Sequence, residues 1–227
     1  MYRYVMMGVV CLLAGNVQAQ TASEAPAQSG SAAAKPVISM EEPLQGDFWT
    51  YEVRDEISGT VKAIRKSLVT EVTPTEISVR FTTEGKESEG GFNVFDRSWN
   101  LKGAAPWRYQ PHDGSGIQLP LKADASWKFQ GDDVNAGNGN IWKRSGRSQV
   151  VGQETITTKA GTFETFKIET TVSRRPTNDP TRKMEIKQQT WYAPSIDHWV
   201  KRTLVARGNG NLIANNSMEL VEYGRKK

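Results

Sequence analysis

Apolar residues in this chain recur at every second position, and no window of a dozen residues carries a sustained helical stripe. A period of two places alternate side chains on opposite faces of an extended strand, whereas a helix packed on a core needs apolar residues three and four apart. The clearest case is Ile77 to Thr82, with Ile77, Val79 and Phe81 on one face and Ser78, Arg80 and Thr82 on the other. Trp49, Tyr51, Val53 and Ile57 form a similar face ahead of a Ser58-Gly59 turn. Val61 to Val72 predicts a second strand with Ile64, Leu68 and Val72 inward.

The same pattern continues through short segments separated by Gly, Pro, Asn and Asp turns. Strands are expected around Phe92 to Val94, Trp127 to Phe129, from Trp142, over Gln149 to Thr158, twice within Lys159 to Thr203, and over Leu212 to Tyr223. Leu101 to Gly116 reads as a long irregular connection and Gly131 to Asn140 as a loop. Phe163 sits on the opposite parity from Phe166, Ile168, Thr170 and Val172, so a bulge near Glu164-Thr165 is expected to return it to the core face. Even spacing and hairpin-length connections predict an all-β fold: a curved antiparallel meander forming an open or closed barrel, with little helix.

The first nineteen residues have the layout of a secretory signal: Arg3, an apolar run from Val5 to Ala14 too short to span a bilayer, and Val17-Gln18-Ala19 as a cleavage site. Cys11, the one cysteine, follows Val9-Val10 inside the apolar run, so lipidation there is not expected. Removal of the signal leaves no thiol and therefore no disulfide or Cys-bound metal. The expected organisation is a signal over 1–19, a flexible linker over 20–43, one barrel domain over 44–224 and a solvated basic tail over 225–227. These features point to the periplasm of a Gram-negative bacterium, with no transmembrane segment after processing. A net charge of +4, evenly mixed, argues against nucleic acid as a partner.

One string carries a resemblance. Leu119-Pro120-Leu121, Ser126-Trp127, Val151-Gly152-Gln153-Glu154, Lys159-Ala160-Gly161-Thr162-Phe163, Trp191-Tyr192-Ala193-Pro194 and Trp199-Val200-Lys201-Arg202 occur in that order. Over about 119–203 this resembles a family of uncharacterised secreted bacterial domains whose fold is an open, curved antiparallel barrel like that of the lipoprotein-localisation factors. The resemblance implies that fold and supplies no catalytic residues. The family commonly has glycine after the proline, where this chain has Ser195-Ile196-Asp197-His198, and glycine two residues before Trp127, where it has Ala125.

No catalytic grouping is evident. His112 and His198 each adjoin an aspartate, but neighbours in an extended chain point to opposite faces, and both histidines are expected on exposed loops. No nucleophile elbow, phosphate loop or metal-ligand spacing is present, so no cofactor and no metal are expected. Asp132-Asp133 reads as part of an Asx-rich turn. Seven tryptophans are the unusual feature. They either fill the barrel or line a cavity, and the expected ligand-binding set is Trp49, Trp127, Trp191, Tyr192, Trp199 and His198. Lys143, Arg144, Arg147, Arg174, Arg175, Lys201 and Arg202 form either a rim for an anionic lipid or polysaccharide or a solvated charged face. The expected function is a non-enzymatic periplasmic barrel binding an apolar or amphipathic ligand (a lipid or glycan) or an envelope protein. The alternatives are a hydrolase of envelope glycans or esters, which needs a histidine near a carboxylate and a serine, and an assembly protein docking by an edge strand.

Overall fold

The structure, a computed structural model, describes residues 42–112 and 114–226. The expected signal peptide and its cleavage site lie outside the described residues, as does most of the expected linker.

Twelve strands follow one another in the described residues: β1 (Phe48–Asp55), β2 (Thr60–Val72), β3 (Ile77–Thr83), β4 (Gly91–Phe95), β5 (Leu101–Ala104), β6 (Trp107–Gln110), β7 (Ser126–Asn135), β8 (Ile141–Thr158), β9 (Gly161–Pro176), β10 (Met184–Ala193), β11 (His198–Gly208) and β12 (Asn211–Gly224). Each pairs antiparallel with its neighbours in sequence, and β1 pairs with β12 from Phe48↔Gly224 to Asp55↔Asn216, closing the barrel. Closure satisfies the backbone donors and acceptors that an open sheet leaves on its edges. Among the described residues, the helical pieces are single 3₁₀ turns at Glu87–Glu89 and Pro194–Ile196.

Local chemistry explains the turns. Gly59 takes φ +70° at the end of the β1–β2 turn, and Asn209-Gly210 takes φ 49° and 87° between β11 and β12, the left-handed pair that tight hairpins require. Pro194 ends β10 because it has no N–H for the ladder. Gly146 faces Phe129 across the β7–β8 pair, where a Cβ would collide with the Phe129 ring and the Thr171 carbonyl.

Several expectations are corrected. Leu101 to Gly116 is not wholly irregular: β5 and β6 form a hairpin through Ala105-Pro106. Gly131 to Asn140 is a loop only from Ala136, because β7 runs on to Asn135; Asp133 turns inward there and meets arginines instead of water. On β2 the face is reversed. Trp49↔Ser67 and Tyr51↔Arg65 place Arg65, Ser67 and Val69 inside and Ile64 and Leu68 outside. The parity change near Phe163 is present, but its extra residue is Val151 on the neighbouring strand β8. The basic tail is not free, since the buried Asp47 accepts from the Lys226 backbone N–H at 2.7 Å and pairs with Arg225 Nε at 3.0 Å.

The barrel is packed at one end. Trp49, Tyr51, Ile77, Val150, Tyr192, Ile196, Val200 and Leu220 are all essentially inaccessible and lie where β1, β3 and β11 begin and β10 and β12 end. Above this floor the interior is less completely filled.

Candidate functional site

The interior holds a cavity of about 530 Å³. Its floor is aromatic and comes from three places: Tyr51 on β1, Trp99 on the β4–β5 connection, and His198 and Trp199 at the start of β11. The Ser195-to-His198 turn builds this floor. Asp197 takes the left-handed φ of 45°, which aspartate tolerates better than most residues, and the next residue, His198, points into the core.

His198 is buried and sandwiched by rings. Trp49 stacks on it with centroids 4.0 Å apart and planes at 14°, and Trp99 meets it edge-on at 4.9 Å. Its Nδ1 lies 2.5 Å from the Tyr51 hydroxyl, which donates to the Trp199 carbonyl at 2.8 Å. A phenol has one proton, so with that proton on the carbonyl the hydroxyl accepts from Nδ1–H. Burial, followed by the charge of Arg202, holds the His198 pKa well below its ordinary value, so the ring is neutral. The expectation of an exposed His198 is therefore corrected. His112 is half-exposed, with Nε2 3.7 Å from Asp96.

Asp197 anchors the layer beneath. It accepts from the Trp99 indole N–H at 3.1 Å and from the Tyr192 hydroxyl. Trp99 has φ 59°, a conformation that costs a bulky residue about 1–3 kcal/mol and persists only where surrounding contacts impose it. Burial raises the Asp197 pKa from 3.8 to about 6. An acid with a raised native pKa costs stability once the unfolded chain has ionised. The loss therefore accrues as pH rises from 3.8 to 6 and amounts to about 3 kcal/mol. His198 works in the opposite direction, since a histidine held neutral costs stability as pH falls below 6.5. Asp197→Asn should remove the first slope only. In urea unfolding the variant is expected to gain on the wild type steadily between pH 4 and pH 6, and a constant difference across that range would refute the assignment.

The cavity wall is charged. Arg144 and Arg174 are cross-strand partners on β8 and β9, and Asp133 of β7 lies between them. Asp133 is fully buried and pairs with Arg144 Nε at 3.3 Å and with an Arg174 amino group. Its pKa is raised by burial against the opposing pull of both guanidiniums. Arg144 also donates to the Pro111 carbonyl at 3.2 Å and lies over the Tyr109 and Phe129 rings. Across the cavity, Arg202 stacks on Trp199 at 3.7 Å and donates to Thr190 Oγ1 at 3.2 Å. Arg65 reaches over Phe81 at 5.7 Å.

The six expected binding residues divide. His198 and Trp199 line the cavity. Trp49 and Tyr192 lie in the layer behind it, on His198 and Asp197. Trp127 is buried elsewhere in the core and donates to the Gly114 carbonyl. Trp191 faces the outer side of the wall but is nearly covered, its N–H meeting Glu154 at 2.7 Å under Lys167 and Lys201. The basic group divides by parity as well. Arg144, Arg174 and Arg202 turn inward, while their neighbours Lys143, Arg175 and Lys201 turn outward. Tyr51, Trp99, Arg65 and Asp133 join the cavity without having been singled out as binding residues. Two more open depressions on the outer wall hold exposed, mixed charge such as the Lys143–Asp132 pair. Among the described residues, no group of three or more His, Cys, Asp or Glu is placed to hold a metal.

In class, this is a closed antiparallel meander barrel with an aromatic-floored, charged-walled interior cavity. A family model described as DUF3108-like matches residues 118–204, the span of the resemblance noted from the sequence. No curated protein matches the chain significantly. Among solved structures, a predicted lipoprotein of Parabacteroides distasonis ATCC 8503 is 14% identical, with a TM-score of 0.54, over 82% of this chain and 99% of its own. A predicted exported protein with YmcC-like fold from Bacteroides fragilis NCTC 9343 is 14% identical, with a TM-score of 0.46, over 83% and 100%. The hypothetical lipoprotein YmcC of Escherichia coli K12 is 9% identical, with a TM-score of 0.45, over 81% and 87%. Similarity at the level of the first of these is one of fold.

Proposed function

We propose that the barrel is a non-enzymatic binding module of the bacterial periplasm that takes an apolar or amphipathic molecule into its interior. The observation that carries this reading is the interior cavity of about 530 Å³, bounded by Tyr51, Trp99 and Trp199 below and by mixed polar and apolar strand residues around it. That size lies within the range of about 300–1,000 Å³ usual for small-molecule sites. A signal-like N-terminus and the exported or lipoprotein character of the structural neighbours support an envelope location.

Two other readings lack a supporting observation. A hydrolase needs a histidine beside a serine and a carboxylate, but the side chain bonded to His198 is the Tyr51 hydroxyl, and among the described residues the partner of His112 is Asp96 at 3.7 Å. Docking by strand addition needs a free edge, and the ring of strands is closed.

Filling the cavity tests the proposal. Leu204 lines it from β11, and Leu204→Trp is expected to weaken binding of a fluorescent fatty-acid probe at least about tenfold, because the ring occupies space the ligand needs. The melting temperature should change little. Undiminished probe binding in this variant would place the ligand elsewhere.

A further inference from the structure

We propose that the molecule taken into the cavity is anionic, with a carboxylate or phosphate head group received by the guanidiniums of Arg65 and Arg202 and its apolar part laid on the aromatic floor. This rests on the cavity reading above and adds the charge of the ligand.

The argument is one of charge inventory. Among the described residues, the cavity lining has four arginines (Arg65, Arg144, Arg174 and Arg202) and a single carboxylate, Asp133. Asp133 is already committed to Arg144 and Arg174. Arg65 and Arg202 have no carboxylate partner: Arg65 lies over Phe81, and Arg202 lies over Trp199 and donates to a threonine hydroxyl. His198, the other basic group of the lining, is kept neutral and cannot substitute for a cation. Arg65 and Arg202 flank one residue, Tyr51. Arg65 is its cross-strand partner on β2, and the charge of Arg202 acts on its hydroxyl.

The Arg202 guanidinium, desolvated against the Trp199 ring without a counter-charge, is costly to hold there, and an entering anion removes that cost while gaining charge-assisted hydrogen bonds; Arg65, which is exposed, adds a second donor fork. A cation would meet the opposite balance. Arginine suits the task because its planar fork matches both carboxylate and phosphate oxygens while its face remains stacked on a ring. The Trp199 ring under Arg202 leaves the guanidinium edge for the ligand. The lining also offers Val79, Phe95, Leu101, Leu204 and Met218, apolar surface on which an alkyl or isoprenoid chain can lie.

The test uses the purified mature protein and ten-carbon probes below their micelle concentrations: decanoate, decyl phosphate, decanol and decylamine, with acetate and inorganic phosphate as chainless controls. Binding is read by tryptophan fluorescence and calorimetry. Decanoate or decyl phosphate is expected to bind at least about tenfold more tightly than decanol, with decylamine weakest. Comparison of the two anions separates a fatty-acid-like head group from a phosphate. Arg202→Gln and Arg65→Gln should each weaken the anions severalfold more than decanol, so that the preference for the anion falls. Arg65 is exposed and makes only the ring contact, so its variant should fold even if the Arg202 variant does not.

Equal affinity for decanoate, decyl phosphate and decanol would overturn the charge assignment and leave the cavity reading intact. Failure of every chain to bind would overturn both. Acetate or phosphate binding as tightly as the ten-carbon anions would overturn the amphiphile by showing an anion site indifferent to the apolar wall.

Discussion

Trp49→Ala is expected to lower stability by about 3–5 kcal/mol, the usual cost of deleting a buried tryptophan. For a domain of this size that is a fall of about 6–20 °C in melting temperature. Trp49 is completely buried, stacks on His198 at 4.0 Å and meets Trp99 edge-on at 5.9 Å. Its strand closes the barrel, with Trp49 opposite Tyr223 of β12. The change therefore opens a void under the cavity floor and loosens the seam of the ring together. Circular dichroism melts of the wild type, Trp49→Phe and Trp49→Ala should rank in that order. A loss below about 1 kcal/mol in the alanine variant would mean that the floor is not the packed layer described.

Arg144→Met is expected to cost up to about 3–5 kcal/mol at pH 7, because it removes one of the two guanidiniums that balance a buried carboxylate and leaves Asp133 with Arg174 alone. The arginine is nearly inaccessible, and the carboxylate it faces, Asp133, is fully buried. Methionine keeps the apolar contacts with Tyr109 and Phe129 and deletes the charge and the bond to Pro111. The cost should depend on pH in a definite direction. The Asp133 pKa is already raised by burial, and losing a guanidinium raises it further. An acid so held carries its penalty above its native pKa and none below its unfolded one. Urea unfolding should then show the deficit of the variant shrinking as pH falls from 7 toward 4. A deficit that stays constant with pH would show that it comes from lost packing and not from an under-compensated carboxylate.

The comparison of sequence with structure turns on one property of this barrel, which is that part of its interior is polar. On β3, Ile77, Val79 and Phe81 declare the inner face, and they are inside. On β2 the apolar Ile64 and Leu68 suggest one face, yet Arg65 and Ser67 are inside, because that stretch borders the cavity and not the packed floor. Alternation identifies the buried face only where the interior is apolar. The adjacent cations Lys143-Arg144, Arg174-Arg175 and Lys201-Arg202 show the same limit. A period of two guarantees that each pair splits between the faces, but it does not say which member goes in.

The turn at Ser195 to His198 departs from the glycine pattern of the family it resembles, and in the structure that departure supplies His198 to the cavity floor and Asp197 to Trp99 and Tyr192. Residue types and their spacing were enough to place this turn, though not to show that its histidine is buried. Phe163 is buried as its sequence pattern led one to expect, but the irregularity that accompanies it lies at Val151 on the neighbouring strand, which the pattern of its own strand could not reveal.

The sequence by itself determined an all-β meander, the positions of most strands and turns, and seven tryptophans that had to either fill a barrel or line a cavity in it. These follow from period, turn chemistry and composition, which act over a few residues. Only the tertiary structure decided that β1 meets β12 to close the ring, that Trp191 lies outside while Trp199 lies inside, and that Arg65, Arg144, Arg174 and Arg202 share one cavity with a single carboxylate. Those outcomes depend on which strands become neighbours around the barrel. No local pattern carries that information: Arg65 reaches Tyr51 through the β1–β2 hairpin, but Arg202 is brought to it only by the closure of β1 on β12 and β11.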